Sequence, residues 1–364
     1  MSLEGELRLA LRLQAGRVVA VDLRSSRPDI ASLLLQGRRV ADVQAAVPRL
    51  FSVCARSQSV ACRLACAAAA GVVADAAALD EARAALAEET VRETAWQALL
   101  QLPRWMDEAP APEAMAAARA ARAWRCGDPE RGDEDTAAAT IAHAVFGCSA
   151  HDWLALTTWA AVADWAAADG TATARYLHTL ARDAADTGAP TPLLPAPTPA
   201  WLADMAAAAA ADPDCTRRPL WQGRPAETGA LARLQGDVLP GSGTAGAASR
   251  PLARHLARLR ELALLLRGRC RPGLGASTLA PGSGVAWADN ARGLLLHHVQ
   301  SDGERVLLYR IVAPTEWNFH PQGALAAALL GAPADSVPAL RQRALRLVNS
   351  LDPCVSCTVE VTDA

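Results

Sequence analysis

Leu7, Leu9, Leu11 and Leu13 alternate with Arg8, Arg12 and Gln14 near the start of the chain. Successive strand residues face opposite sides, so a period of two marks a strand with one buried face. Ala15-Gly16 is a turn signal, and Val19, Val21 and Leu23 resume the alternation. The stretch predicts a β-hairpin, ended by Arg24-Ser25-Ser26-Arg27-Pro28, that other elements must cover on one side.

Beyond that hairpin the helical period dominates. Helices are expected from Asp29 to the Gln36-Gly37-Arg38 stop, and from Ala41 to Ala74 with an interruption at Pro48. Others are expected from Ala76 to Leu102, stopped by Pro103, and over Glu113–Trp124, Thr136–Phe146, His151–Ala168 and Thr171–Ala185. Trp153, Trp159 and Trp165 recur every six residues and read as core packing. Five prolines between Pro190 and Pro199 give an extended connector over residues 188–199. Leu239–Ser249 and Arg271–Gly284 read as loops, and Pro251–Arg267 between them as an arginine/leucine helix opened by proline. Arg292–Val299 and Arg305–Ile311 flank Ser301-Asp302-Gly303 and form a second hairpin. On it, His297 and His298 face opposite sides and read as one packed and one solvated. Val337–Asn349 is a last helix. The class is α+β, predominantly helical with peripheral β-hairpins.

Composition narrows the function. The chain has 364 residues, is 51% hydrophobic and carries a net charge of −2, with no concentrated basic run. A large core is within reach, and nucleic acid is not an expected partner. No window is apolar enough to span a membrane, and Met1–Glu6 is no signal core, so a cytoplasmic location is expected. All 36 basic side chains other than histidine are arginine. Nine cysteines in such a chain do not imply a disulfide framework. Cys62 and Cys66, four apart on a helix, read as small packing residues.

The chemistry concentrates at Leu351-Asp352-Pro353-Cys354-Val355-Ser356-Cys357. Cysteines three apart can direct two soft sulfurs at one zinc, copper(I) or iron, or can be two buried thiols. Five segments, in order, give the chain its resemblance to the large subunit of nickel–iron hydrogenases. They are the N-terminal hairpin with Arg24-Ser25-Ser26, Pro48 to Cys54, and Glu227-Thr228-Gly229-Ala230-Leu231-Ala232-Arg233. The fourth is Ala291-Arg292-Gly293 with Val312-Ala313-Pro314-Thr315-Glu316-Trp317-Asn318, and the fifth is Asp352 to Cys357, which matches "D-P-C-x-x-C". The resemblance runs across the proline-rich connector, so a single large-subunit-like domain over 1–364 is expected.

The departures from that family carry the functional reading. In it, each C-x-x-C supplies one cysteine bound to nickel alone and one bridging nickel to iron. The first pair here is Phe51-Ser52-Val53-Cys54, so the nickel-only position is Phe51 and the bridging position Cys54. Cys354 and Cys357 keep both positions of the second pair. The family's histidine four residues after the first pair is Gln58, its proton-transfer glutamate aligns to Ser32, and Glu360 replaces its C-terminal histidine. The arginine and hydroxyl that hydrogen-bond the iron's cyanides there correspond to Arg292 and Thr315. Buried cyanide nitrogens need such donors. From the residues alone, Arg292 could equally satisfy loop carbonyls or pair with Asp289, and Thr315 could be a turn residue after Pro314.

The pattern is similar to the HupK/HoxV-type hydrogenase maturation proteins. The resemblance implies a non-catalytic scaffold that transiently holds an Fe(CN)2CO fragment and no nickel. Its implied metal ligands are Cys54, Cys354 and Cys357, with Arg292 and Thr315 on the diatomic ligands. Its implied partners are the hydrogenase large-subunit precursor and accessory maturation proteins. The alternatives are a metal-free chaperone for the immature large subunit, or a thiol or zinc protein.

Overall fold

The computed structural model describes residues 5–51, 53–127, 136–182, 190–235 and 249–363, with backbone alone at 30–32. The Leu239–Ser249 loop lies almost wholly outside the described residues, as do the start of the proline-rich connector and the side chain of Ser32. The chain divides into two compact units, one built from residues 1–75, 186–232 and 274–364, the other from 76–185 and 233–273.

In the first unit, β1 (Leu7–Gln14) and β2 (Arg17–Ser25) form the expected hairpin. A strand that sequence patterning missed, β7 (Cys357–Asp363), pairs parallel to β1, so this sheet has the order β2-β1-β7. Leu7, Leu9, Leu11 and Leu13 all point into one core with Leu340, Leu347 and Leu351 of the helix Val337–Leu351. Each such leucine contributes roughly 1.5–3 kcal/mol by leaving water. Ser336 caps that helix by accepting from the Ala339 N–H.

The second sheet has the order β3-β4-β5-β6, with β3 (Leu274–Ala280), β4 (Ser283–Asn290), β5 (Gly293–Ser301) and β6 (Val306–Val312), all antiparallel. Residues 271–284, expected as a loop, are thus largely strand. Small side chains such as Gly275, Ala276 and Ser277 hide it, and the Trp287 indole fills the space a Cβ at Gly275 would need. Helices α1 (Ile30–Leu35), α2 (Val40–Leu50) and α3 (Ala55–Ala69) bring Leu35, Val43, Val47 and Cys62 onto one face, over Ala286, Val299 and Tyr309. The helix Pro199–Ala211, also unforeseen, and Trp317 cover the other face through Leu202, Met205, Leu294 and Leu296. With both faces covered, His297 and His298 are both buried, and the expected solvated histidine does not exist. Pro48 sits inside α2, and the break falls after Leu50, just ahead of Cys54. The connector's Leu194 N–H donates to the Glu227 carbonyl, and the Glu227 N–H to Pro192.

The second unit is helical. Its long helix Ala76–Trp96 runs on through a π-turn at Gln97–Gln101 into Leu102–Trp105. The Leu102 N–H reaches back to the Gln97 carbonyl, five residues away, and Pro103 continues rather than stops the helix. His151–Ala168 is two helices, Ala150–Leu154 and Trp159–Ala167, the second capped by Thr158. Trp153 stacks on Phe146 and meets Trp165 edge-on, the packing role expected of these indoles. Arg250–Leu266 is buried almost all round, and its Glu261 takes a bidentate ion pair from Arg233 at 2.7 Å.

Candidate functional site

Every residue expected at the site lies in the first unit. Cys54 caps the start of α3, and its carbonyl accepts from the Gln58 N–H at 3.0 Å and the Ser57 hydroxyl at 3.1 Å. Arg292 lies in the tight turn joining β4 to β5. Asn290 Oδ1 accepts from the Arg292 and Gly293 N–H groups at 2.9 and 3.1 Å and holds that turn. Asn290 Nδ2 donates to the Ser57 hydroxyl at 3.4 Å, which links the Arg292 turn to the Cys54 turn. Gly293 has φ +137°, and a Cβ there would stand 2.4 Å from Thr228 Cγ2, so only glycine serves.

The same turn is tied on its other sides. Asn318 Nδ2 donates to the Arg292 carbonyl at 3.2 Å, and Asn318 Oδ1 accepts from the Thr228 N–H at 2.9 Å. Thr228 Oγ1 accepts from Leu294. The Arg292 Nε stands 3.5 Å from Asp352 Oδ2, with both side chains about a tenth exposed. Asp352 adopts the left-handed conformation at φ 55°, which ends the helix Val337–Leu351 and turns the chain through Pro353 into the cysteine pair. Asp352, a partner that spacing along the chain does not suggest, thus faces Arg292. One polar frame joins the turns of Cys54 and Arg292 and the segment leading into Cys354.

Cys354 is half-buried on that turn, and Cys357 opens β7 opposite Leu7. Burial pushes the Cys357 thiol up to about 11, so it carries its proton at neutral pH. Among the described residues, no three His, Cys, Asp or Glu side chains gather closely enough to hold a metal ion. The frame thus links the segments that carry the thiols without presenting them as a finished ligand set.

Thr315 is buried in the first turn of the helix Pro314–Asn318. Its Oγ1 accepts from the Arg27 guanidinium, so the threonine's own proton is left to donate elsewhere. Arg27 also stands 3.5 Å from Glu316 Oε1. Burial raises the Glu316 carboxyl, and Arg27 and Arg217 oppose the rise. Nothing in the sequence pattern singled out Arg27, which meets Thr315 only through the fold.

A second missed feature stands behind Cys54. Gln58 Nε2 donates toward Cys54 Sγ at 3.7 Å, and Gln58 Oε1 accepts from His297 Nε2 at 2.9 Å. His297 Nδ1 then accepts from the Tyr309 hydroxyl at 2.8 Å. Burial lowers His297 to about 3, so the ring is neutral and each nitrogen has a fixed role. Cys62 lies beside the Tyr309 hydroxyl, and its hydrogen bond with Cys66, together with burial, raises its thiol well above the ordinary range. Gln58→Leu strands the His297 N–H in the core and is expected to cost about 1–3 kcal/mol, read from the urea midpoint. Gln58→Glu, which keeps the acceptor oxygen, should cost less at acid pH than at neutral pH.

Comparison with known proteins places this architecture. The family model for nickel-dependent hydrogenase matches residues 275–360, the stretch from β3 into β7. The Ni-Fe-Se hydrogenase of Desulfomicrobium baculatum superposes with a TM-score of 0.53, covering 94% of this chain and 95% of that one at 16% identity. The fold is that of the hydrogenase large subunit. The hydrogenase expression/formation protein HoxV of Cupriavidus necator is 34% identical over 97% of this chain and 96% of its own length. HupK of Rhizobium leguminosarum bv. viciae, of the same description, is 31% identical over 99% and 97%. No described helix is long and apolar enough to cross a membrane. An α+β large-subunit fold and full-length identity above 30% together make the chain a member of the HoxV/HupK family of hydrogenase expression/formation proteins.

Proposed function

We propose that this protein is a non-catalytic assembly factor that holds an Fe(CN)2CO unit as cargo, on its way to the precursor of a nickel–iron hydrogenase large subunit. Cys54 and Cys357 supply thiolates to the iron, with Cys354 beside them. Arg292 and Thr315 donate to the cyanide nitrogens. The partners are the large-subunit precursor and accessory maturation proteins, and the exchange is cytoplasmic.

The observation that carries the reading is the polar frame of Asn290, Arg292, Asn318 and Asp352. It ties the Cys54 turn to the segment entering the tail cysteines through Arg292, the residue this reading sets on cyanide. The Thr315 hydroxyl, already accepting from Arg27, offers its proton as a strengthened donor. Phe51, at the position of a nickel-only ligand, packs partly buried against the α1–α3 core and brings no donor atom. The Cys357 thiol, held protonated by burial, must release its proton as iron binds, which makes uptake and release responsive to proton activity.

The test is infrared spectroscopy on protein purified without oxygen from cells that also make the maturation machinery. Two cyanide stretches and one carbonyl stretch are expected, and Cys54→Ala or Cys357→Ala should remove them. Absence of the bands in the wild-type protein overturns the cargo role. Intact hydrogenase maturation with both variants would put a metal-free chaperone in its place.

A further inference from the structure

Beside the hairpin lies a cavity of about 680 Å³, within the range of small-molecule sites. Its walls come from β2, the short 3-10 turn Pro213–Thr216 with the residues after it, and the segment 315–322. Four arginines line it: Arg24, Arg27, Arg217 and Arg218. Two are already committed, Arg24 to Asp22 at 2.8 Å and Arg27 to Thr315 and Glu316. Arg217 gives one nitrogen to the Arg27 carbonyl at 2.7 Å. Among the described residues, the Arg218 guanidinium makes no side-chain hydrogen bond or ion pair. Asp214 is the one lining carboxylate not set against Arg24 or Arg27, so Arg217 and Arg218 leave the mouth with positive charge in excess.

His320 adds a neutral donor. Its Nδ1 accepts from the Gln322 N–H at 3.1 Å, which places the ring proton on Nε2. Burial and the nearby Arg218 lower its pKa and keep it neutral. The guanidinium groups of the consecutive residues Arg217 and Arg218 and the imidazole N–H line the same cavity, a donor set of the kind that binds phosphate or carboxylate oxygens.

We propose that this cavity binds a small multivalent oxyanion, a phosphate ester or a polycarboxylate, chiefly through Arg217 and Arg218. The site does not rest on the iron reading, because none of these groups is an iron ligand there. Its wall does include Thr315 and Val355, so an occupant would sit against the tail turn.

The test is calorimetric titration of the iron-free full-length protein with inorganic pyrophosphate and, separately, with citrate, at 50 mM and 200 mM salt, about a fourfold change in screening ions. Saturable binding of at least one probe is expected. It should weaken tenfold or more in Arg217→Ala/Arg218→Ala, less in the double lysine variant, and not at all in Arg119→Ala, an exposed helical arginine of the other unit. Preference for pyrophosphate identifies a phosphate ligand and preference for citrate a carboxylate. The proposal is overturned if neither probe binds, or if binding survives the double alanine variant. Both arginines are exposed, so that variant should keep the wild-type melting temperature, and measuring it separates lost binding from lost fold.

Discussion

Arg292→Leu is expected to destabilise the protein by roughly 3–5 kcal/mol, the cost of removing one partner from a buried ion pair. The Asp352 carboxylate is only 11% exposed and stands 3.5 Å from the Arg292 Nε. Removing the guanidinium takes an ion-pair partner from that carboxylate at the point where the last helix ends and the cysteine turn begins. Asp352→Asn in the same chain should recover much of the loss, because asparagine tolerates the left-handed conformation and carries no charge. Urea titration of the two single variants and the double one forms the required cycle. A loss under about 1 kcal/mol for Arg292→Leu would mean that the pair is not a structural tie. Asn290 and Asn318 hold the Arg292 backbone independently of its side chain, so the β4–β5 turn should survive while the tail loosens.

Acid should weaken the fold through His297. The folded ring titrates near 3, against an ordinary 6.5 when the chain is unfolded. Below 6.5 the unfolded chain takes up a proton that the folded chain refuses until about 3. Stability from this residue is therefore complete above 6.5 and is lost as pH falls toward 3. At pH 4 the loss from His297 alone is about 3 kcal/mol. His298, lowered to about 4 by burial and Arg310, adds to it. His297→Gln keeps a neutral hydrogen-bonding group and should shrink the difference between pH 7 and pH 4 by about that amount. An unchanged pH dependence of the urea midpoint in this variant would refute the assignment.

What could be read from the residues tracks what each element faces. The first hairpin was legible because one of its sides meets water and the other does not, which writes the alternation into the residues. On β5 both sides are covered, so Leu294 to Val299 is a continuous buried run and the two histidines are hidden alike. In β7, Cys357, Val359 and Val361 do alternate with Thr358, Glu360 and Thr362. No turn announces that strand, because its parallel partner is β1. Arg292 was legible through the resemblance that Ala291-Arg292-Gly293 carries, but it reads there as the start of a strand and not as the turn that joins β4 to β5. Its ion-pair partner, sixty positions downstream, was not legible. Spacing offered Asp289, and only the helix ending at Leu351 delivers Asp352. The pairing of Gln58 with His297 left no local trace either, since the two side chains meet across 239 positions.

The parallel pairing of β1 with β7 has a kinetic consequence. Thr362 donates to the Leu11 carbonyl from 351 positions away, and Cys357 sits in register with Leu7. Contacts of such separation close slowly, since most of the chain must be ordered before they form. In refolding, the thiols at 354 and 357 are expected to stay open to alkylating reagents after the helical signal has recovered. They should become protected only when that last strand docks.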